Sequence, residues 1–155
     1  MIPITISARS GPRPVVVLVD SSVWIALLRK QHTSRTKALS SLLRARTAAV
    51  SLLVYQEVLQ GASSRDHFER LRRYFSALPI LAPRHPVASS EEAAAIYAAC
   101  RWKGFTPRSP SDCTVAQTAI EHDVELLAHD RDFDAIMRVD ARLRLFPHSA
   151  RSKSS

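Results

Sequence analysis

The chain has 155 residues, 46% of them hydrophobic and 6% aromatic, a length that suits one compact domain and leaves no room for two ordinary ones. No run approaches 18 consecutive apolar residues, which excludes a membrane-spanning helix, and two cysteines, Cys100 and Cys113, are too few for a disulfide scaffold. Twenty-two Lys and Arg against 14 Asp and Glu leave a formal charge of +8, and 18 of those 22 cations are Arg.

Arg meets phosphate through a planar fork, so this surplus fits a nucleic acid better than a membrane surface; a GC-rich genome, which raises Arg everywhere, is the plainer explanation. The N-terminus lacks a basic stretch followed by an apolar one, so no signal peptide is expected, and the chain reads as a soluble, cytoplasmic domain.

Residues 1–14 mix Ser, Pro, Gly and Arg without apolar periodicity and are expected to form a flexible arm, or an upstream-start extension, outside the fold. Residues 15–148 then make the domain, and residues 149–155 a flexible polar tail. The β-branched run at 15–19 predicts a strand buried on both faces. Ser21 and Ser22 can cap a helix over 23–29. A second amphipathic helix is expected over 37–45, a short strand near 48–51, and a helix over 53–60 stopped by Gly61. Phe68, Leu71, Phe75 and Leu78 recur at helical spacing around 65–77, and a strand follows at 78–81. Ser89-Ser90-Glu91-Glu92 reads as a capping box that opens an Ala-rich helix reaching about residue 101. A Pro-bounded loop at 107–110 leads to a helix opened by Ser111-Asp112. A strand at 125–128, a helix at 133–139 and a strand at 143–146 complete the pattern.

Strands alternating with helices imply an α/β fold, a single domain with a central, mostly parallel sheet of four to five strands and helices on both faces. In such sheets ligands bind outside the carboxyl ends of the strands, where strand order reverses. Four acids fall at that edge. Asp20 ends the first strand, Glu57 lies one or two turns into the helix after the second, Asp112 opens a helix, and Asp130 follows the strand at 125–128, with Asp132 and Asp134 just beyond. Converged carboxylates resist ionising together unless a cation compensates them. Oxygen donors select hard ions, so Mg²⁺ or Mn²⁺ is the expected occupant, an ion that activates water and steadies a phosphodiester. Each acid also has a plainer role: Asp20 as a helix cap, Asp112 as a dipole-favoured first-turn residue, Glu57 as a solvated helix residue.

Charge is unevenly placed. No acid occurs between Asp20 and Glu57, where six cations stand: Arg29, Lys30, Arg35, Lys37, Arg44 and Arg46. Seven of the 14 acids fall between Asp112 and Asp134, with Arg131 the one Lys or Arg among them. Arg29, Arg44 and Arg46, with Arg108 on the loop into Asp112, are the expected RNA-tracking cations; a solvated helix face is the alternative. Cys113 is read as a buried thiol rather than a nucleophile or a zinc ligand with His122 or His129, because no paired ligand spacing supports either. Trp24 is assigned to the core. Trp102, between Arg101 and Lys103, suits either core or base stacking.

Leu18-Val19-Asp20-Ser21-Ser22-Val23-Trp24-Ile25 resembles the opening motif of the PIN domains of VapC type, the toxin half of type II toxin–antitoxin pairs. Tyr55-Gln56-Glu57-Val58-Leu59-Gln60-Gly61 is similar to their glutamate helix, Ser111-Asp112-Cys113-Thr114-Val115-Ala116 to their third motif, and His129-Asp130-Arg131-Asp132-Phe133-Asp134 to their fourth. The likeness runs from about Val16 to Pro147 in the expected order. It implies Asp20, Glu57, Asp112 and Asp130 as the catalytic, metal-holding acids, with Asp132 a further ligand. It also implies an Mg²⁺- or Mn²⁺-dependent endoribonuclease acting on RNA such as tRNA or rRNA, a cognate antitoxin and a homodimer. One position departs: Ala128 stands where relatives often carry Thr, His or Ser, so a hydrogen bond near Asp130 is missing or comes from His129 or Ser22. The reading that competes from another class is a non-catalytic RNA-binding adaptor with a solvated acidic face. A phosphoacceptor receiver needs a late Lys, absent between Lys103 and Lys153. A dehalogenase-type phosphatase needs an Asp where Ser22 stands.

Overall fold

The computed structural model describes residues 5–6 and 15–148. Five parallel strands form one sheet in the order β1-β4-β3-β2-β5, with β1 at Thr5–Ile6, β2 at Val17–Val19, β3 at Ala48–Ser51, β4 at Ile80–Leu81 and β5 at Glu125–Leu127. Seven helices connect them: α1 (Ser21–Leu28), α2 (Ser34–Arg44), α3 (Leu52–Gln60), α4 (Arg65–Phe75), α5 (Pro86–Trp102), α6 (Pro110–Glu121) and α7 (Asp130–Val139). Every residue of β2, β3 and β4 is buried, as continuous apolar runs in a sheet covered on both faces require. No helix among the described residues is long and apolar enough to cross a membrane.

The expected arm at 1–14 lies outside the described residues except for Thr5–Ile6, which pair with Ile80 and Leu81 and extend the sheet beyond residue 15. The tail at 149–155 lies outside them altogether. The strand expected at 143–146 is reduced to one parallel bridge between Leu145 and Leu126, held by bonds from Leu126 N–H to Arg144 O and from Phe146 N–H to Leu126 O. Several helix starts also move: α1 begins at Ser21, so Ser21 and Ser22 lie inside it and Asp20 stands at the cap position, and α2 begins at Ser34 rather than at residue 37. α5 begins at Pro86 rather than at Ser89, because proline is pre-set for a first helical turn, and Ser89 instead spends its hydroxyl on Glu121. α7 begins at Asp130, so two acids occupy its first turn, where the helix dipole favours them. α2 opens on a capping box in which Thr33 and Thr36 exchange bonds, and Ser51, Ser64 and Ser109 cap α3, α4 and α6.

The core centres on Trp24 of α1, fully buried and edge-on to Phe75 of α4 at 4.9 Å between ring centroids. Four helices end in the same paired hydrogen bonds, in which the two residues beyond the cap donate back to the last turn: Lys30 with Gln31, Arg46 with Thr47, Gly104 with Phe105 and Asp123 with Val124. The first residue of each pair is left-handed, with φ of 58°, 58°, 80° and 52°. One of the four is glycine.

Candidate active site

The chain leaves β2 toward β3 on one side and returns much later to place β5 on the other. The segments after β2 and β5 therefore diverge, and a crevice opens at the carboxyl ends of these strands. Asp20 follows β2 directly. Its backbone N–H reaches Leu127 O across the crevice floor; the residue is 6% exposed, and its carboxylate accepts from Ser22 Oγ at 2.6 Å. Burial raises the Asp20 pKa above the usual carboxylate range. The Ser22 bond opposes the rise, and the charge of Glu57 adds to it.

Glu57, half-buried on α3, arrives because Ser51 ends β3 and caps the helix at the same edge. Asp112 stands in the first turn of α6, after the loop that ends at the Ser109 cap. Burial pushes its pKa up to about 7, helped by the negative charges of Asp20, Asp132 and Glu57 and opposed by Arg108. Those influences define the cluster: Asp20, Glu57, Asp112 and Asp132 share one electrostatic neighbourhood.

Asp130 is not among those influences. Its side chain is 64% exposed and lies 2.9 Å from Nε2 of His148, whose Nδ1 is 3.1 Å from Ser34 Oγ. Asp132, 18% exposed, turns inward instead and accepts from Arg108 at 3.0 Å. The hydrogen bond that Ala128 cannot make to Asp130 thus comes from His148, not from His129 or Ser22; Ser22 serves Asp20. Burial and the nearby Arg35 cation lower the pKa of His129, so its ring is neutral at pH 7. Arg35 is one of the six cations of the acid-free stretch, whereas His148 was not singled out from sequence. His148 lies 18 residues from Asp130 and 114 from Ser34, so no local pattern announces it.

The expected RNA-tracking cations divide. Arg108 borders the acids. Arg46 and Arg44 lie at the opposite edge, because Thr47 O receives the Val17 N–H where β2 begins, and three strand residues rise about 10 Å before Asp20. Arg29 is exposed just beyond α1. Both cysteines are free and buried, and burial pushes Cys113 up to about 12, which leaves no thiolate at neutral pH. Trp102 is 82% exposed at the end of α5.

All donors in the cluster are carboxylate oxygens, and a half-buried Asp112 crowded by three like charges is the setting a hard dication relieves. Among the described residues no three His, Cys, Asp or Glu side chains are drawn into a ready cage. Mg²⁺ keeps several of its waters and takes one or two carboxylates directly, so it needs no such cage. The residues present fit such an ion.

The PIN domain, as a sequence family, matches residues 17–139. The chain belongs to the PIN-domain family. Within that family it is 31% identical over 126 residues to Ribonuclease VapC11 of Mycobacterium tuberculosis and to VapC ribonuclease Mb1587 of Mycobacterium bovis, covering 80% of this chain and 93% of each relative. This PIN domain is therefore of the VapC group. Its fold is shared with VapBC-1 from nontypeable Haemophilus influenzae, at a TM-score of 0.65 and 17% identity, covering 85% of this chain and 97% of that one. VapBC2 from Rickettsia felis, bound to a DNA fragment from its promoter, aligns with a TM-score of 0.60 and 21% identity, covering 85% and 98%.

Proposed function

We propose that this PIN domain is a metal-dependent endoribonuclease that acts as the toxin of a toxin–antitoxin pair, hydrolysing phosphodiester bonds in RNA. The observation that carries the reading is the convergence of Asp20, Glu57, Asp112 and Asp132 from four separate elements on one sheet edge, in a chain of net charge +8. The ribonuclease names of the VapC relatives support the activity, and the solved VapBC assemblies support a cognate antitoxin. A solvated acidic face on an RNA-binding adaptor gives no reason to bury Asp20 or to force Asp112 up to about 7.

Asp20 and Asp112 would hold Mg²⁺ or Mn²⁺, with Glu57 and Asp132 completing the set. Asp132 takes the fourth place in preference to Asp130, which His148 holds at the rim. A bound dication would activate water, orient the scissile phosphate and neutralise charge on the leaving oxygen. Ser22 would keep the Asp20 carboxylate aimed and favour its anionic form, and Glu57 would orient water at the crevice. tRNA and rRNA are the RNA classes in view, the cytoplasm is the place of action, and a homodimer would join two clefts.

The decisive measurement is cleavage of RNA by the purified chain with EDTA, then with Mn²⁺ or Mg²⁺ restored. Activity lost and regained supports the reading, and cleavage that persists in EDTA refutes the metal. A second expected result concerns the basic stretch. Charge reversal at Arg44 and Arg46 together should weaken binding of RNAs of different sequence alike and lower the slope of log affinity against log salt by about one to two, while the cleavage position stays fixed. Unchanged affinity and slope would move the RNA path to the end of α5 and the loop to α6, where Arg101, Trp102, Lys103 and Arg108 stand exposed.

A further inference from the structure

Among the described residues Arg108 is the one cation that touches the acidic cluster, through the 3.0 Å ion pair with Asp132, and its own side chain is 67% exposed. The loop beneath it is fixed. Phe105 donates its N–H to Cys100 O at 2.8 Å and lies under the Arg138 guanidinium at 5.1 Å, and Pro107 is buried. A long side chain on an anchored backbone can therefore leave its partner without disturbing the fold. Exposed ion pairs of this kind are weak enough to exchange readily. Asp132 is held by an internal cation at the place where the proposed function puts an external one.

We infer that Arg108 is the resident counter-cation of the cluster, giving up Asp132 when a divalent ion binds and turning its guanidinium to a phosphate of the RNA. The inference rests on the metal-dependent reading above and adds an order of events to it. Without the ion, Arg108 neutralises Asp132 and is withheld from RNA. With the ion bound, the freed fork has two donors for phosphate oxygens, the geometry for which arginine is suited. Metal and arginine thus compete for one carboxylate, so removing the arginine moves metal affinity and RNA affinity in opposite directions.

The test is calorimetric titration of Mn²⁺ into the full chain, wild type and Arg108→Ala, each repeated in an Asp132→Asn background, with Asp112→Asn as the reference for a broken metal site. Arg108→Ala should bind Mn²⁺ about two- to fivefold more tightly, the scale expected for release of an exposed ion pair. That gain should vanish when Asp132 is already Asn. At saturating Mn²⁺ the same variant should show a KM for RNA raised severalfold with kcat little changed. Unchanged or weaker Mn²⁺ binding by Arg108→Ala overturns the inference while the metal reading stands. An equal gain in the Asp132→Asn background overturns it too, because the effect would then be a general field and not this pair. An unchanged KM removes the phosphate contact. If wild type and Asp112→Asn are equally silent in the titration, the metal reading falls and the inference with it.

Discussion

Replacing Asp112 with Asn should abolish RNA cleavage while making the protein more stable at neutral pH. Partners that merely support a metal ligand cost about 10–100-fold when lost, so loss of a ligand itself should cost about a hundredfold or more. The stability change follows from the sign of the shift. A carboxyl whose folded pKa is raised from 3.8 to about 7 binds its proton more tightly folded than unfolded. Its contribution is complete below about pH 4 and is lost as pH rises toward 7, so ionised Asp112 destabilises the fold at and above neutrality. Thermal melts of wild type and Asp112→Asn between pH 4 and 8 should therefore coincide at the acid end and separate toward pH 8, with the variant higher. A variant that melts lower throughout, or that cuts RNA at the wild-type rate, is incompatible with Asp112 as a crowded ligand. Asp20→Asn should lose activity likewise. Its stability gain should be smaller, because the 2.6 Å bond from Ser22 already favours the anion.

Trp24→Ala should be the most damaging single core change, at about 3–5 kcal/mol by urea unfolding, a large share of the 5–15 kcal/mol typical of a domain. Trp24 is fully buried against Phe75, whose ring also lies 5.3 Å from Tyr74 and 6.3 Å from Tyr55, so its loss opens a cavity that three elements border. Trp24 Nε1 has no hydrogen-bond partner. Trp24→Phe removes that unsatisfied donor along with some volume and should cost less than half as much as Trp24→Ala. Equal costs for the two would mean that the indole N–H is satisfied after all, and that its bond, not ring packing, holds α1.

The order of strands and helices was legible because each buried strand is a short apolar run and the segments between them carry apolar residues at helical spacing. The α/β class and the shared edge of Asp20, Glu57 and Asp112 followed from that alternation. What failed were boundaries set by competition among caps. Ser89 looked like a helix start but sits within α5, where Glu121 claims its hydroxyl and Pro86 has already opened the helix. The choice between Asp130 and Asp132 was illegible for a different reason. Both lie in the first turn of α7, about 200° apart around its axis, and which one faces the crevice depends on the helix rotation. That rotation is tied to His148 and Arg108, contacts 18 and 24 residues distant. Long-range pairs of this kind leave no local periodicity. Neither does the position of Arg44 and Arg46 at the far edge, which only the strand register reveals.

The left-handed residues at the ends of α1 and α2 bear on how this molecule would respond to engineering. Lys30 and Arg46 each hold an L side chain in a conformation that costs about 1–2 kcal/mol and that glycine adopts freely. Gly104 already shows the relaxed solution at the end of α5. Turn repair is a standard route to a hardier protein, and here it would carry a hidden toll: each glycine installed at these two sites deletes a positive charge from the stretch that contains no acid. Heat resistance and electrostatic reach are thus set against each other at the same two residues, and a hardened version of this chain would keep its acidic crevice intact while growing steadily more indifferent to polyanions.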